Sequence, residues 1–182
     1  TLAPNVTLTL HEMLGIQSGS TLTLNDGATI VNQVRGYQTS PVIKFPLGGF
    51  SGDEAHTLTV SVKDFAQWRA VASLFATGAS DTLTVLTRDA LQNVTAEDFT
   101  HLTRWTLNGN VNGITSSTLP IATVVNAGAT LTQPGALTVQ RGLTIAGTVS
   151  VEDLTVGEAV SELMGPSPAS VITVLNGGTL EI

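Results

Sequence analysis

The sequence contains no cysteine, which excludes a disulfide framework and thiolate metal sites and leaves the compartment open. Charge is also scarce. Asp, Glu, Lys and Arg make up 12% of the chain, about half the usual share. Lys44, Lys63, Arg35, Arg69, Arg88, Arg104 and Arg141 stand against 14 acidic residues, and the net charge is −7. They form no basic cluster, so the phosphate neutralisation that nucleic-acid binding needs is missing, and anionic membrane surfaces are disfavoured too. Apolar runs fall far short of the roughly 20 residues of a membrane helix, and no membrane span is expected. The eight aromatic residues, several of them between Phe65 and Trp105, do not make the girdles of an outer-membrane barrel. The sequence opens at Thr1 without Met or a signal peptide, as a processed chain or a fragment would.

Uncharged polar residues take the place of charge, above all 28 threonines. Thr is β-branched, favours strands and can form hydroxyl ladders between stacked strands. Thr7-Leu8-Thr9-Leu10, Thr21-Leu22-Thr23-Leu24, Thr57-Leu58-Thr59-Val60 and Thr82-Leu83-Thr84-Val85 alternate with period two. Each puts apolar side chains on one face and hydroxyls on the other, the pattern of a half-buried strand.

A turn recurs between such strands. Thr23 to Ile30, containing Asn25-Asp26-Gly27, is echoed by Val124 to Leu131, containing Asn126-Ala127-Gly128. Val174 to Leu180 reads as a copy one residue shorter, aligned on Asn176. Asn and Gly tolerate positive φ, so each copy predicts strand, tight corner, strand; a hairpin would use the same residues. Further along, Leu131, Leu137, Leu143 and Val149 recur every six residues, with Gly135, Gly142 and Gly147 between them. Short strands separated by glycine bends predict coils of a parallel β-helix, with these four residues in one interior stack. Leu154 and Val156 fall out of phase, which favours a right-handed helix over a left-handed hexapeptide one.

The middle of the chain changes period. Phe65, Trp68, Ala72 and Phe75 share one helical face, with Asp64 as N-cap and Gly78 as stop, predicting a helix over Asp64–Ala76. Thr95-Ala96-Glu97-Asp98 resembles a capping box and predicts a second short helix over Ala96–Thr103. Phe99, Leu102, Trp105, Leu107 and Asn110 follow spacings like the core of a leucine-rich repeat. Irregular insertions are expected near 38–56 and 164–170, where Pro and Gly cluster. The fold class expected is mainly β: a single parallel β-solenoid, a right-handed β-helix spanning 1–182, with one or two short helices in the middle.

Leu175-Asn176-Gly177-Gly178-Thr179-Leu180, with the glycine-spaced segments before it, resembles the parallel β-helix passengers of bacterial autotransporters and related surface or phage-fibre proteins. The resemblance covers residues 121–182 well and 1–35 loosely. It implies surface display, adhesion or fibre building, and it carries no residue-level active site to this chain.

Residues with chemistry are few and scattered. The adjacent carboxylates Asp53/Glu54, Glu97/Asp98 and Glu152/Asp153 would point to opposite faces of a strand. They read as a solvated loop, a first helical turn and a corner. His11, His56 and His101 show no metal-site spacing, and the glycine-rich 48–52 stretch lacks the Lys of a phosphate loop. Asn5 and Asn93 fit glycosylation sequons, of the kind a Thr-rich chain produces by chance. Trp68 and Trp105 lie on apolar faces and read as core. No catalytic, cofactor-binding or metal-binding residue is therefore expected, and no cofactor. The function expected is a structural or adhesive component of a fibre, bacterial surface or virion, hence extracellular, associating with itself end to end through terminal coils. The alternatives are a polysaccharide-active lyase or hydrolase, or a module binding glycans or a surface partner through the 38–56 loop.

Overall fold

The computed structural model describes residues 1–38, 41–44, 55–77, 80–157 and 170–182. These are mainly β with parallel sheets and one short α-helix. No helix among them is long and apolar enough to cross a membrane. The chain divides into two compact units, Thr1–Leu86 with Thr100–Thr103, and Thr87–Phe99 with Arg104–Ile182.

The first unit opens with strands β1 (Thr7–Leu10), β2 (Leu14–Gly15) and β3 (Ser20–Thr23). Next come β4 (Thr29–Asn32), β5 (Ile43–Lys44) and β6 (Thr57–Val62). The second trio pairs with the first one to one, in order and in parallel: β1 with β4, β2 with β5, β3 with β6. The alternating segments behave as their period demands. Leu58, Val60, Leu83 and Val85 are fully buried, and Leu10 and Leu24 close the other two segments inside the core. The 38–56 segment thus contains a core strand, with Ile43 buried in β5; its residues 39–40 and 45–54 lie outside the described set.

Helix α1 (Phe65–Val71) starts where the sequence predicts, with the Asp64 carboxylate accepting from the Gln67 N–H at 2.9 Å. Gln67 then ties the helix to the rest of the unit. Its Nε2 donates to the carbonyls of Asn25 and Ala28, each at 2.8 Å, on the corner between β3 and β4. The α-helix is shorter than predicted, giving way to a 3₁₀ turn at Ala72–Leu74. Phe75 is extended because it bridges Ile43, and that pairing ends the helix (Gly78, the predicted stop, is outside the described residues). Phe65, Trp68, Ala72 and Phe75 are all buried, as one face should be. Strand β7 (Thr82–Thr87) follows, its last residue belonging to the second unit.

The second unit contains β8 (Leu91–Val94), β9 (Arg104–Leu107), β10 (Asn110–Ile114), β11 (Thr118–Leu119), β12 (Ala122–Val125) and β13 (Thr130–Val139). It continues with β14 (Leu143–Ile145), β15 (Thr148–Val156), β16 (Ile172–Val174) and β17 (Thr179–Glu181). One run of parallel strands is β8-β10-β13-β15-β17, and another is β9-β12-β14-β16. Strand β13 bends at Gly135, φ +94°, so its second half pairs separately with β11 and with the end of β15. The predicted helix over Ala96–Thr103 is only a 3₁₀ turn at Ala96–Phe99. The Asp98 side chain folds back to accept from the Thr95 N–H and hydroxyl, closing a single turn rather than opening a longer helix.

The turns flanked by strands are corners, since the strands on either side pair elsewhere. All three place glycine at positive φ: Gly27 at +69°, Gly128 at +82° and Gly177 at +87°. The third copy is not shortened. Its closing bond runs from Gly178 N–H to the Leu175 carbonyl, matching Ala28 to Asn25 and Ala129 to Asn126. Leu175 occupies the asparagine position, and Asn176 sits one place on.

Leu131, Leu137, Leu143 and Val149 are all interior, none more than 1% exposed. They do not form one stack. Leu131 pairs with Val149, Leu137 with Leu154, and Leu143 lies between Thr123 and Ile172 in the other sheet. Leu131 and Leu137 lie on the two halves of β13, either side of its bend at Gly135, and Leu143 lies on β14 in another sheet, so the repeat does not mark one column. Leu143→Asp should destabilise the protein by several kcal/mol, about 3 or more, because it drives an unpaired charge into an apolar column. Urea unfolding checks this, and a midpoint close to that of the parent would remove Leu143 from the core.

Candidate functional site

An open, shallow groove lies on the outward face of β8, β10 and β13, inside the second unit, with a volume of about 390 Å³. Its origin is the period of two. Leu91, Val111 and Leu131 stand in register and point inward, buried to 8% exposure or less. The residues beside them must then point out. Gln92, Asn112 and Thr132 form one outward column, and Asn110 and Thr130 begin a second, with Ala90 at the rim.

The backbone beneath is fixed from both sides. Strand β10 is hydrogen-bonded to β8 and to β13. Gly109 precedes it at a point where a Cβ would collide with the Asp89 and Arg88 carbonyls, so only glycine fits there. Ile114 ends the strand by donating its N–H to the buried side chain of Gln133, 2.6 Å away. Gln133 also reaches Ser117 and the Pro134 carbonyl, and it thereby ties β10 to the bend in β13.

Gln92, Asn110 and Asn112 are exposed, and Thr130 and Thr132 are half-buried. Among the described residues none of the three amides makes a side-chain hydrogen bond within the chain. Each primary amide has two donors and a carbonyl acceptor, so the groove presents unused, uncharged hydrogen-bonding capacity. None of its lining side chains is titratable.

The residues weighed in the sequence lie elsewhere. Glu97 is exposed and Asp98 is buried as the cap of Thr95, while Asp53 and Glu54 are outside the described residues. Glu152 and Asp153 are exposed and sit on β15 where its register with β13 shifts. His11 and His101 are exposed, and His56 contacts Asp81, Nδ1 to Oδ1 at 3.1 Å. No group of three or more His, Cys, Asp or Glu side chains that could hold a metal occurs among the described residues. Asn5, in a turn, and Asn93, inside β8, both adopt positive φ, 58° and 56°.

Trp68 and Trp105 are fully buried. Trp68 donates to the Thr100 carbonyl at 3.3 Å and meets Phe75 at a tilt, ring centroids 5.5 Å apart. Trp105 donates to the buried Thr87 hydroxyl at 3.0 Å and lies 5.6 Å from Phe99. Asn110 matches the leucine-rich spacing but is exposed, on the groove instead of in the core. The sequence reading of alternating threonines missed the groove amides, although Gln92, Asn112 and Thr132 recur every 20 residues.

Comparison with protein-family models, curated proteins and solved structures finds no match for this chain.

Replacing Gln133 by Leu should cost about 1–3 kcal/mol, because the buried Ile114 N–H would lose its acceptor without gaining water. Urea denaturation measures the loss, and faster hydrogen exchange at the Ile114 amide would locate it at the end of β10.

Proposed function

We propose that each unit is a parallel β-solenoid and that the protein is a structural component of an extracellular fibre, bacterial surface or virion. Its growth direction is the stacking direction of its strands. The observation that carries this reading is order-preserving pairing: in the first unit three successive strands pair with the next three. In the second unit β9, β10 and β11 are followed by β12 and the two halves of β13, then by β14 and the two halves of β15. Such pairing is what successive three-sided coils produce; in the second unit each is about 20 residues long, within the range of known solenoid repeats, and in the first the step is longer, Ser20 pairing with Leu58. Parallel strands joined by crossovers in one sheet favour the right-handed form.

The same stacking supports self-association. Strands β16 and β17 lie at sheet margins, with no strand on their outer side among the described residues. Val174 is 47% exposed although Ile145, its partner in register, is fully buried; Val171, Leu175 and Ile182 are exposed nearby. An open strand edge with apolar residues is completed by pairing, and a second copy presents strands of matching period. A head-to-tail contact of this kind propagates as a filament unless it closes into a ring.

Two measurements test the reading. Deleting Thr123–Gly142 removes one proposed coil and brings Leu143 to the position of Thr123 beside Trp105. The shortened chain should keep its β circular dichroism and melt cooperatively at reduced stability. Loss of folding would count against coils as the repeating unit. In sedimentation, the intact chain should associate with rising concentration and Val174→Lys should not, the β signal being unchanged. A clean monomer at high concentration for the intact chain overturns self-association and leaves the coil reading to the deletion.

A further inference from the structure

We propose that the outward face of β8, β10 and β13 binds an extended neutral glycan, held by the amides of Gln92, Asn110 and Asn112 and the hydroxyls of Thr130 and Thr132. The volume of about 390 Å³ falls within the range of small-molecule sites. Its chemistry selects the ligand. A charged ligand would shed water for a groove with no counter-charge, and an apolar one would bury three amides without partners. A sugar hydroxyl both donates and accepts, matching groups that do the same.

An extended peptide is a poorer fit. Peptides that add to sheets need a free strand edge, whereas β10 is already bonded on both sides and offers only side chains. The polar track also continues beyond the groove. In register after Thr132 come Ser150 and Glu181, and after Thr130 come Thr148 and Thr179. Neighbouring strands lie about 4.8 Å apart, close to the length of one sugar unit in an extended chain. A polymer running across the strands would therefore present one unit to each rank of side chains. This site is separate from the 38–56 loop considered from the sequence. The proposal is independent of end-to-end association, which involves β16 and β17.

The test titrates the intact chain with maltohexaose, cellohexaose and chitohexaose, and with hexagalacturonate as the charged comparison. Side-chain amide resonances of Asn110 and Asn112 report by NMR. At least one neutral hexaose should shift them saturably, with hexagalacturonate weaker. Asn112→Ala and Gln92→Ala should each weaken that binding about tenfold, the size of one lost hydrogen-bonded contact. Thr144→Ala, on the β12-β14 sheet, should leave it unchanged, and the backbone spectrum of each variant verifies its fold. The proposal is overturned if no neutral hexaose moves these resonances, if the shifts map to another face, or if hexagalacturonate binds more tightly.

Discussion

In-register parallel pairing is the constraint on which the rest of the structure depends. A strand of four or five residues buries too little to stand alone, and parallel pairs are slightly weaker per residue than antiparallel ones. Each strand here becomes stable only beside a neighbour that continues its apolar column. Leu107, Val125 and Ile145 make such a column, all fully buried. Beside it Trp105, Thr123 and Leu143 make another, in which the small Thr123 follows the largest side chain of the unit. Alternation of large and small along a column fills the interior at constant strand spacing. The Thr123 hydroxyl is satisfied locally, donating to the Ile121 carbonyl at 3.2 Å.

Corners are the second requirement, because each change of face exposes backbone that the sheets do not pair. The chain meets it with glycine and with side-chain amides. At Gly147 a Cβ would collide with the carbonyls of Ala129 and Asn126, and at Gly178 with that of Ile145, so stacked corners touch through backbone. Asn126 hydrogen-bonds Asn108, 18 residues earlier, which gives the asparagine of the repeated turn its purpose there, since the positive φ is taken by Gly128. Gln67 serves the corner at Asn25–Ala28 from the helix above it. Every buried side-chain nitrogen or oxygen among the described residues has a partner, so the low charge of the sequence does not leave a polar interior unserved.

Much of this was legible where a side chain acts through its nearest neighbours. Period-two alternation located strands, Asp64 located the start of α1, and the apolar faces of Trp68 and Trp105 located core. What escaped depends on partners remote in sequence. Phe75 leaves the helix because Ile43 is there to pair with it, and nothing within its own helical pattern says so. The third turn looked one residue short because the eye aligns asparagines, whereas the backbone aligns the glycine at positive φ. Leu137 and Leu143 looked like one column with Leu131 because a spacing of six is compatible with either a stack or a passage around a corner. Only the register decides between them.

The outward groove was illegible for a related reason: its residues become a site only when a 20-residue step superimposes them. That step couples core and surface. The pairing that sets Leu91, Val111 and Leu131 inside also sets Gln92, Asn112 and Thr132 outside, and a slip of one residue would exchange the two sets. Burying the amides of Gln92 and Asn112 while exposing three large apolar side chains would be unfavourable on both counts. The core therefore enforces the geometry of the groove through the register of the strands. The amides can remain unpaired and available because the strands that carry them owe their positions to the opposite face.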